Sequence, residues 1–415
     1  MAFRGVFTMR RLAAVAAVLV MTSACSGTSL RTAGAPIPAG TAAAPSASES
    51  TSPSAAASAP LRAPSVHTFT PAASVPWWSV GPGWFLVSVD SPARHLLLVD
   101  PDGRHFPVFD VSSHSWQVVG WSGDGQRVLL QADTRRFPAA TEVVDLRTGR
   151  MWRPILPHGV GVVGFTRPLG LGLLTAVVSK QEDGSDTHYR VERRSLYGAD
   201  PVVLSRDVVP DMYAQHLVYT PDGAHVVTTI AGQLSLVSNA TGAVVRTLGP
   251  AQMCSSPVRM WDVTHVLALC STGLYLQPLD GGSPAPLVSP DTRHGPDDVD
   301  INVFRTSGGG LYTDSLGACG YEFVGRVGRN YRVHETKIPN VTQNSKPLAV
   351  RGSTVAVEAV LGCEEPQKPQ APSLFWWDPK TGHEQVIWAP KQGDQDADFI
   401  PFQSPYAAPL QAWLP

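Results

Sequence analysis

The chain has 415 residues, of which 16% are charged, and glycine and proline number 37 each. An average soluble domain has roughly 25% charged residues and fewer turn formers. This composition argues against a helical protein and favours many short strands joined by tight turns. The formal net charge is -2, so the basic surface typical of nucleic-acid-binding proteins is absent, and we predict no nucleic-acid partner.

The first 24 residues have the pattern of an export signal. Three arginines precede an apolar run at residues 12–21, and the small residues Thr22, Ser23 and Ala24 lead to Cys25. The apolar run is too short to span a bilayer as a helix. We therefore predict that residues 1–24 are a signal peptide.

The small residues before Cys25 resemble the lipobox of bacterial lipoproteins. In that family the cysteine thiol receives a diacylglyceryl group and the chain is cut before the cysteine. The resemblance implies a lipid anchor at Cys25 on the extracytoplasmic side of the cell membrane. An ordinary signal peptide cut nearby, with Cys25 as a spare thiol, is the alternative.

Residues 25–65 consist mainly of alanine, serine and proline and contain no aromatic residue. Such a segment cannot bury enough apolar surface to offset the entropy lost on ordering. We predict a flexible tether, which as a random coil would span about 35 Å.

Residues 66–415 contain an internal repeat, marked by a glycine turn after every third β-like run. The turns recur about every 40 to 50 residues, which is the spacing of four-stranded propeller blades. The marker residues are Gly103, Gly149, Gly198, Gly242, Gly282, Gly328 and Gly382. We predict an all-β fold, a single β-propeller of seven four-stranded blades. A pair of β-sandwiches is the alternative, but it would not require this period.

The repeated turns resemble those of the WD40-like repeats in TolB-type propellers. That family has a W-S-P-D-G turn, similar to residues 121–125 and 219–223, and a later D-x-x-T-G turn, similar to residues 145–149 and 378–382. Lipid-anchored actinobacterial proteins with a propeller on a tether look similar overall. The resemblance implies a propeller fold and a habit of binding partners. Residues 398–415 and residues 66–72 are the two candidates for the segment that closes the ring.

Four cysteines after Cys25 are predicted to lie on one face of the propeller. Because exported proteins fold in an oxidising compartment, these cysteines are expected to form disulfides. A hairpin that turns at Asp262 places Cys254 opposite Cys270, within disulfide reach. Cys319 and Cys363 would then join adjacent blades, and a Cys270–Cys319 bridge is the chief competitor. A zinc site is the functional alternative, although no C-x-x-C pair is present.

The same face is predicted to collect acidic loops and aromatic residues, which favour a cationic peptide, an amine or a sugar as ligand. The candidate binding residues are Trp116, Tyr213, Asp297, Asp298, Asp300, Trp388, Asp394, Asp396 and Asp398. The alternative is that the acids serve solubility and the aromatics fill gaps between blades. Residues 394–398 alternate carboxylates as a calcium loop does, but Phe399 stands where an EF-hand requires glycine, so we predict no metal.

Catalytic motifs such as G-x-S-x-G, H-E-x-x-H or a glycine-rich phosphate loop do not occur in the sequence. We therefore predict a noncatalytic propeller without a cofactor. Its upper, loop-rich face would bind an envelope protein, a peptide or a glycan. The alternative is a propeller-type enzyme, such as a lyase, lactonase or cyclotransferase, that uses histidines, carboxylates and a metal in the central channel.

Overall fold

The computed structural model describes residues 65–90, 94–111, 116–132, 137–181, 187–208, 217–250, 253–289, 299–316, 322–339, 341, 344–360, 373–391 and 396–402. Within these ranges the regular structure consists of 29 β-strands in seven sheets. A search of the same ranges finds no helix that is long and apolar enough to cross a membrane. The sheets are the blades of a seven-bladed β-propeller, which confirms the predicted fold class.

The blades follow one another in chain order. The first strand, β1 (Val66–Thr68), belongs to blade two. Blade one contains β2 (Phe85–Asp90), β3 (Arg94–Val99), β4 (His105–Val111) and, from much later in the chain, β29 (Asp396–Pro401). Blade two contains β5 (Trp116–Trp121), β6 (Arg127–Ala132), β7 (Ala140–Asp145) and β8 (Arg150–Trp152). Blade three contains β9 (Val160–Phe165), β10 (Gly172–Gln181), β11 (Thr187–Ser195) and β12 (Val202–Val208).

The other four blades are each built from consecutive strands. Blade four contains β13 (Leu217–Tyr219), β14 (His225–Ile230), β15 (Gln233–Ser238) and β16 (Val244–Thr247). Blade five contains β17 (Cys254–Met260), β18 (His265–Cys270), β19 (Gly273–Pro278) and β20 (Ala285–Val288). Blade six contains β21 (Val299–Arg305), β22 (Leu311–Leu316), β23 (Glu322–Val327) and β24 (Val333–Glu335). Blade seven contains β25 (Asn344–Arg351), β26 (Thr354–Val360), β27 (Ser373–Trp377) and β28 (Glu384–Trp388).

Strand β29 closes the ring. It pairs with β2 along its whole length, from Phe85 opposite Pro401 to Asp90 opposite Asp396, and becomes the innermost strand of blade one. Strand β1 instead pairs with β8, with Val66 opposite Trp152, and adds a fifth, outer strand to blade two. Both segments considered for closure therefore join a sheet, but only the later one links the two ends of the ring.

The marker glycines lie in the turns between the third and fourth strands of their blades, as the repeat predicts. At Gly149 the φ angle is 70°, and a side chain there would collide with the carbonyl oxygen of Phe69. Only glycine adopts such a conformation at low cost. In blade five the positive φ belongs to Gly281, and in blade six it belongs to Tyr331.

The hydrophobic core is divided into seven clusters, one in each gap between neighbouring blades. Between blades seven and one, for example, Phe85 packs against Trp376 with ring centroids 5.9 Å apart. Each blade thus buries both faces of its sheet only because it has two neighbours, which is the physical reason for the repeat.

Candidate functional site

The two faces of the propeller are defined by the direction of the innermost strands. The first strand of each blade starts at one end, here called the upper face, where blades are connected to each other and second strands lead to third strands. The lower face carries the turns between first and second strands and between third and fourth strands. First strands of neighbouring blades contact one another around the channel, for example β21 and β25.

Part of the predicted site lies in the described ranges. Trp116, Cys254 and Asp396 are the first residues of innermost strands, and Asp300 is the second residue of β21, so all four lie at the upper end of the channel. Cys270 is the last residue of β18, at the same end. Trp388 and Asp398 are also described, whereas the following predicted residues lie outside the described ranges: Cys25, Tyr213, Asp297, Asp298, Cys319, Cys363 and Asp394.

The predicted disulfide between Cys254 and Cys270 is present. The two residues are cross-strand partners, but the hairpin is not the regular one turning at Asp262 that the sequence analysis predicts. Near the turn, Met260 pairs with Val266, which centres the hairpin one residue later than Asp262. Two bulges in β17 then shift the register until Cys254 is opposite Cys270.

Loss of this disulfide is expected to destabilise the propeller. The bridge joins residues with a sequence separation of 16. A disulfide that closes a loop of that length stabilises the folded state by about 3 kcal/mol, because it lowers the entropy of the unfolded chain. The double variant Cys254→Ser/Cys270→Ser should therefore unfold at a clearly lower denaturant midpoint than the wild type. Reduction of the wild type would open any other disulfide as well, so the variant is the cleaner comparison. An unchanged midpoint would show that the bridge does not stabilise the fold.

Trp116 and Asp396 lie on neighbouring blades and flank an ion pair. Arg94 donates one hydrogen bond to Asp90 Oδ2 at 2.8 Å and another to the carbonyl oxygen of Trp116 at 2.6 Å. Asp90 in turn is the cross-strand partner of Asp396. Arg94 thereby ties blade one to the first residue of blade two and places Asp396 beside this connection.

The indole of Trp116 already has a cation close to it. The guanidinium carbon of Arg153 lies 5.8 Å from the centre of the ring, and the same guanidinium donates to Glu142 Oε1 at 2.9 Å. The cation–π contact that the sequence analysis predicts between Trp116 and a cationic ligand is therefore made by Arg153 of the same chain.

Trp388 occupies the gap between blades seven and one. It is 3% exposed, and its ring lies 5.2 Å from that of Phe399. This is the packing role that the sequence left open as the alternative to ligand binding. Asp398, in contrast, is exposed on β29 and pairs in register with Ser88.

A group of charged residues that the sequence analysis missed lies at the upper end of blades six and seven. Asp314 on β22 is 5% exposed, and none of the described residues donates a hydrogen bond to its Oδ1. Glu322, the first residue of β23, lies 3.3 Å from the Nζ of Lys346 on β25. Glu358 is the cross-strand partner of Lys346. The predicted residue Asp300 belongs to this group, because its Oδ1 accepts a hydrogen bond from Ser315 at 2.5 Å.

Burial and neighbouring charges shift the pKa values in this group. Burial raises the pKa of Asp314 to about 7; Lys346 opposes this rise, whereas Glu322 and Asp300 add to it. Burial also lowers the pKa of Lys346, but Asp314, Glu322 and Glu358 raise it more, so its net shift is upward. Lys346 stays cationic, and Asp314 changes its charge near neutral pH.

Together these residues form an acidic sector on the upper face, within three consecutive blades of the ring. Its members are Asp300, Asp314 and Glu322 of blade six, Glu358 of blade seven, and Asp396 and Asp398 of blade one. Of the described cations within or next to it, Lys346 and Arg94 contact carboxylates, and Lys391 lies in the connection between β28 and β29. In the part of the chain that the structure describes, no group of three or more His, Cys, Asp or Glu side chains is arranged to hold a metal ion.

Neither a family model nor a curated protein matches this chain. Solved structures do resemble it. They include dihydro-heme d1 dehydrogenase NirN, with 13% identity over 80% of this chain and 79% of that chain and a TM-score of 0.45. The periplasmic gluconolactonase PpgL of Pseudomonas aeruginosa has 14% identity over 77% and 100% and a TM-score of 0.44. A putative TolB from Agrobacterium tumefaciens has 12% identity over 76% and 98% and a TM-score of 0.38. At this level of similarity, none of these proteins indicates the activity of the present chain.

Proposed function

We propose that this protein is a noncatalytic, lipid-anchored propeller outside the cytoplasm that binds a cationic segment of a partner protein or peptide on its upper face. The anchor at Cys25 rests on the lipobox resemblance. The observation that carries the binding proposal is the acidic sector, of which Asp300, Asp396 and Asp398 lie on innermost strands beside the channel. Among the partners predicted from the sequence, a cationic segment suits these groups better than a neutral glycan.

The electrostatic argument rests on the excess of acids over cations. Among the described residues, the six carboxylates of the acidic sector outnumber the nearby cations, which are Lys346 and Arg94, both engaged in ion pairs, and Lys391 in the connection between β28 and β29. Asp396 and Asp398 are exposed, and the Glu322 side chain is 20% exposed. A concave site lined by one sign of charge raises the local concentration and association rate of an oppositely charged partner.

The proposal can be tested by titrating tetralysine into the full chain by calorimetry at low and at high salt. The double variant Asp396→Asn/Asp398→Asn should bind tetralysine about fivefold to tenfold more weakly, which corresponds to one weak charge contact per residue. Raised salt should weaken binding to the wild type. The matched control is Asp102→Asn/Asp280→Asn, which removes two exposed acids from the lower face. Equal weakening in both double variants would contradict the proposal.

The enzyme alternative is favoured by one observation, the pKa of Asp314 near 7, which suits acid–base chemistry. The burial of this residue is an argument against that role, because a general acid or base must reach the reacting group of its substrate. Asp314 is 5% exposed and its Oδ1 is fully covered. We therefore favour binding without catalysis.

A further inference from the structure

The lower face of blades one to three carries exposed apolar side chains on projecting turns. Trp78, in the segment before β2, is 90% exposed. Leu169 and Leu171 are 51% and 66% exposed and flank Gly170 in the turn between β9 and β10. Soluble monomers rarely concentrate large apolar side chains in one exposed region without a use for them.

These three residues belong to one continuous surface. The turn between β5 and β6 lies between them, because a side chain on Gly125 would touch Val80, and one on Gly170 would touch Ser122. The charges of that turn are neutralised within it, since Arg127 donates to Asp124 Oδ2 at 2.8 Å. We call Trp78, Leu169 and Leu171 the apolar tips.

Positive charge lies on the lower face of blade six. Arg305 ends β21, and Arg329 and Arg332 lie in and after the turn between β23 and β24. All three are exposed, and none forms an ion pair with a carboxylate in the described ranges. Blade six is separated from the apolar tips only by blade seven and by the start of blade one.

We propose that the lower face rests on an anionic lipid bilayer, with the apolar tips in the headgroup region and the arginines of blade six against the lipid phosphates. Trp residues favour the membrane interface, and Arg residues near an anionic surface strengthen binding by electrostatic attraction to the lipid phosphates. Projecting turn tips suit insertion into a soft interface, as exposed apolar side chains of peripheral proteins do. This surface is separate from the acidic sector and would leave the upper face directed away from the membrane.

The test uses tryptophan fluorescence of the full chain reconstituted in phosphatidylglycerol vesicles with brominated acyl chains, which quench fluorophores in the bilayer. Wild-type fluorescence should be quenched, and Trp78→Ala should remove at least about half of the quenching, because Trp78 is the most exposed tryptophan in the part of the chain that the structure describes. Leu169→Ser/Leu171→Ser should also reduce quenching. The control, Val178→Ala, changes an exposed apolar residue in the upper half of β10 and should leave the quenching unchanged.

The second part of the experiment varies the charge of the lipid headgroups and of the arginines and again measures the quenching. Replacing phosphatidylglycerol with phosphatidylcholine, or changing Arg329 and Arg332 to glutamine, should lower the Trp78-dependent quenching about twofold or more. Equal quenching of wild type and Trp78→Ala would overturn the inference. Tetralysine binding, measured on the full chain in neutral detergent because anionic vesicles would themselves bind the peptide, reports separately on the upper face, so failure of one proposal does not imply failure of the other.

Discussion

Substitution of Phe399 by alanine is expected to lower the free energy of unfolding by about 3–5 kcal/mol. Phe399 lies on β29, is 7% exposed, and packs against Trp388 in the cluster between blades seven and one. Removal of the ring leaves a cavity at the point where the two ends of the ring meet. Chemical denaturation, followed by the fluorescence of the remaining tryptophans, measures the loss.

The matched control for Phe399→Ala is Val386→Ala. Val386 lies on the neighbouring β28 but is 60% exposed, so its replacement should change stability by no more than about 0.5 kcal/mol. If Phe399→Ala also changed stability by less than about 1 kcal/mol, then β29 would not close the ring in solution.

Asp314→Asn is expected to be more stable than the wild type at neutral pH, and this difference should be smaller at acid pH. The folded-state pKa of Asp314 is raised from its ordinary value of 3.8 to about 7. Between these two values the folded state holds a proton that the unfolded state has released, so the stability of the wild type falls as the pH rises from about 4 to about 7. The asparagine variant lacks this contribution.

The size of this effect follows from the shift. A rise of about three pKa units corresponds to about 4 kcal/mol, so the stability difference between Asp314→Asn and the wild type should grow by up to that amount from pH 4 to pH 8. Denaturant unfolding at several pH values gives the difference directly. The control variant is Asp102→Asn, whose side chain is 63% exposed. Its stability should change with pH in the same way as that of the wild type. A difference for Asp314→Asn that is independent of pH would contradict the raised pKa.

The repeat of glycine turns was sufficient to predict the number of blades. A residue such as Gly149 must accept a positive φ and a close approach by Phe69, and this local requirement is visible in sequence because it is met by one residue type. The partners of β1 and β29 were harder to predict. Strand β29 pairs with a strand near the other end of the chain, β1 pairs with β8 although strands β2 to β7 lie between them in the chain, and nothing local in either strand specifies its partner.

The disulfide and the buried acid show two different limits of sequence analysis. Cys254 and Cys270 were paired correctly although the two bulges in β17 were not anticipated, because the later turn centre and the bulges compensate each other. Asp314 was missed because acids were sought in loops. A signal was present: β22 carries an acid, Asp314, at a buried position, whereas the buried polar residues in second strands of other blades are serine or threonine, such as Thr175 and Thr228. What the sequence does not contain is the approach of Lys346 from the next blade.

The most direct test of the central claim, that a partner binds the upper face, is photo-crosslinking in the intact cell envelope. A photoreactive amino acid would replace Asp398 on the upper face or Asp280 on the lower face, both exposed positions. The account predicts a discrete protein or peptide adduct from position 398 and not from position 280, and its loss on Asp396→Lys substitution. An adduct from position 280 alone, or none from position 398, would contradict it.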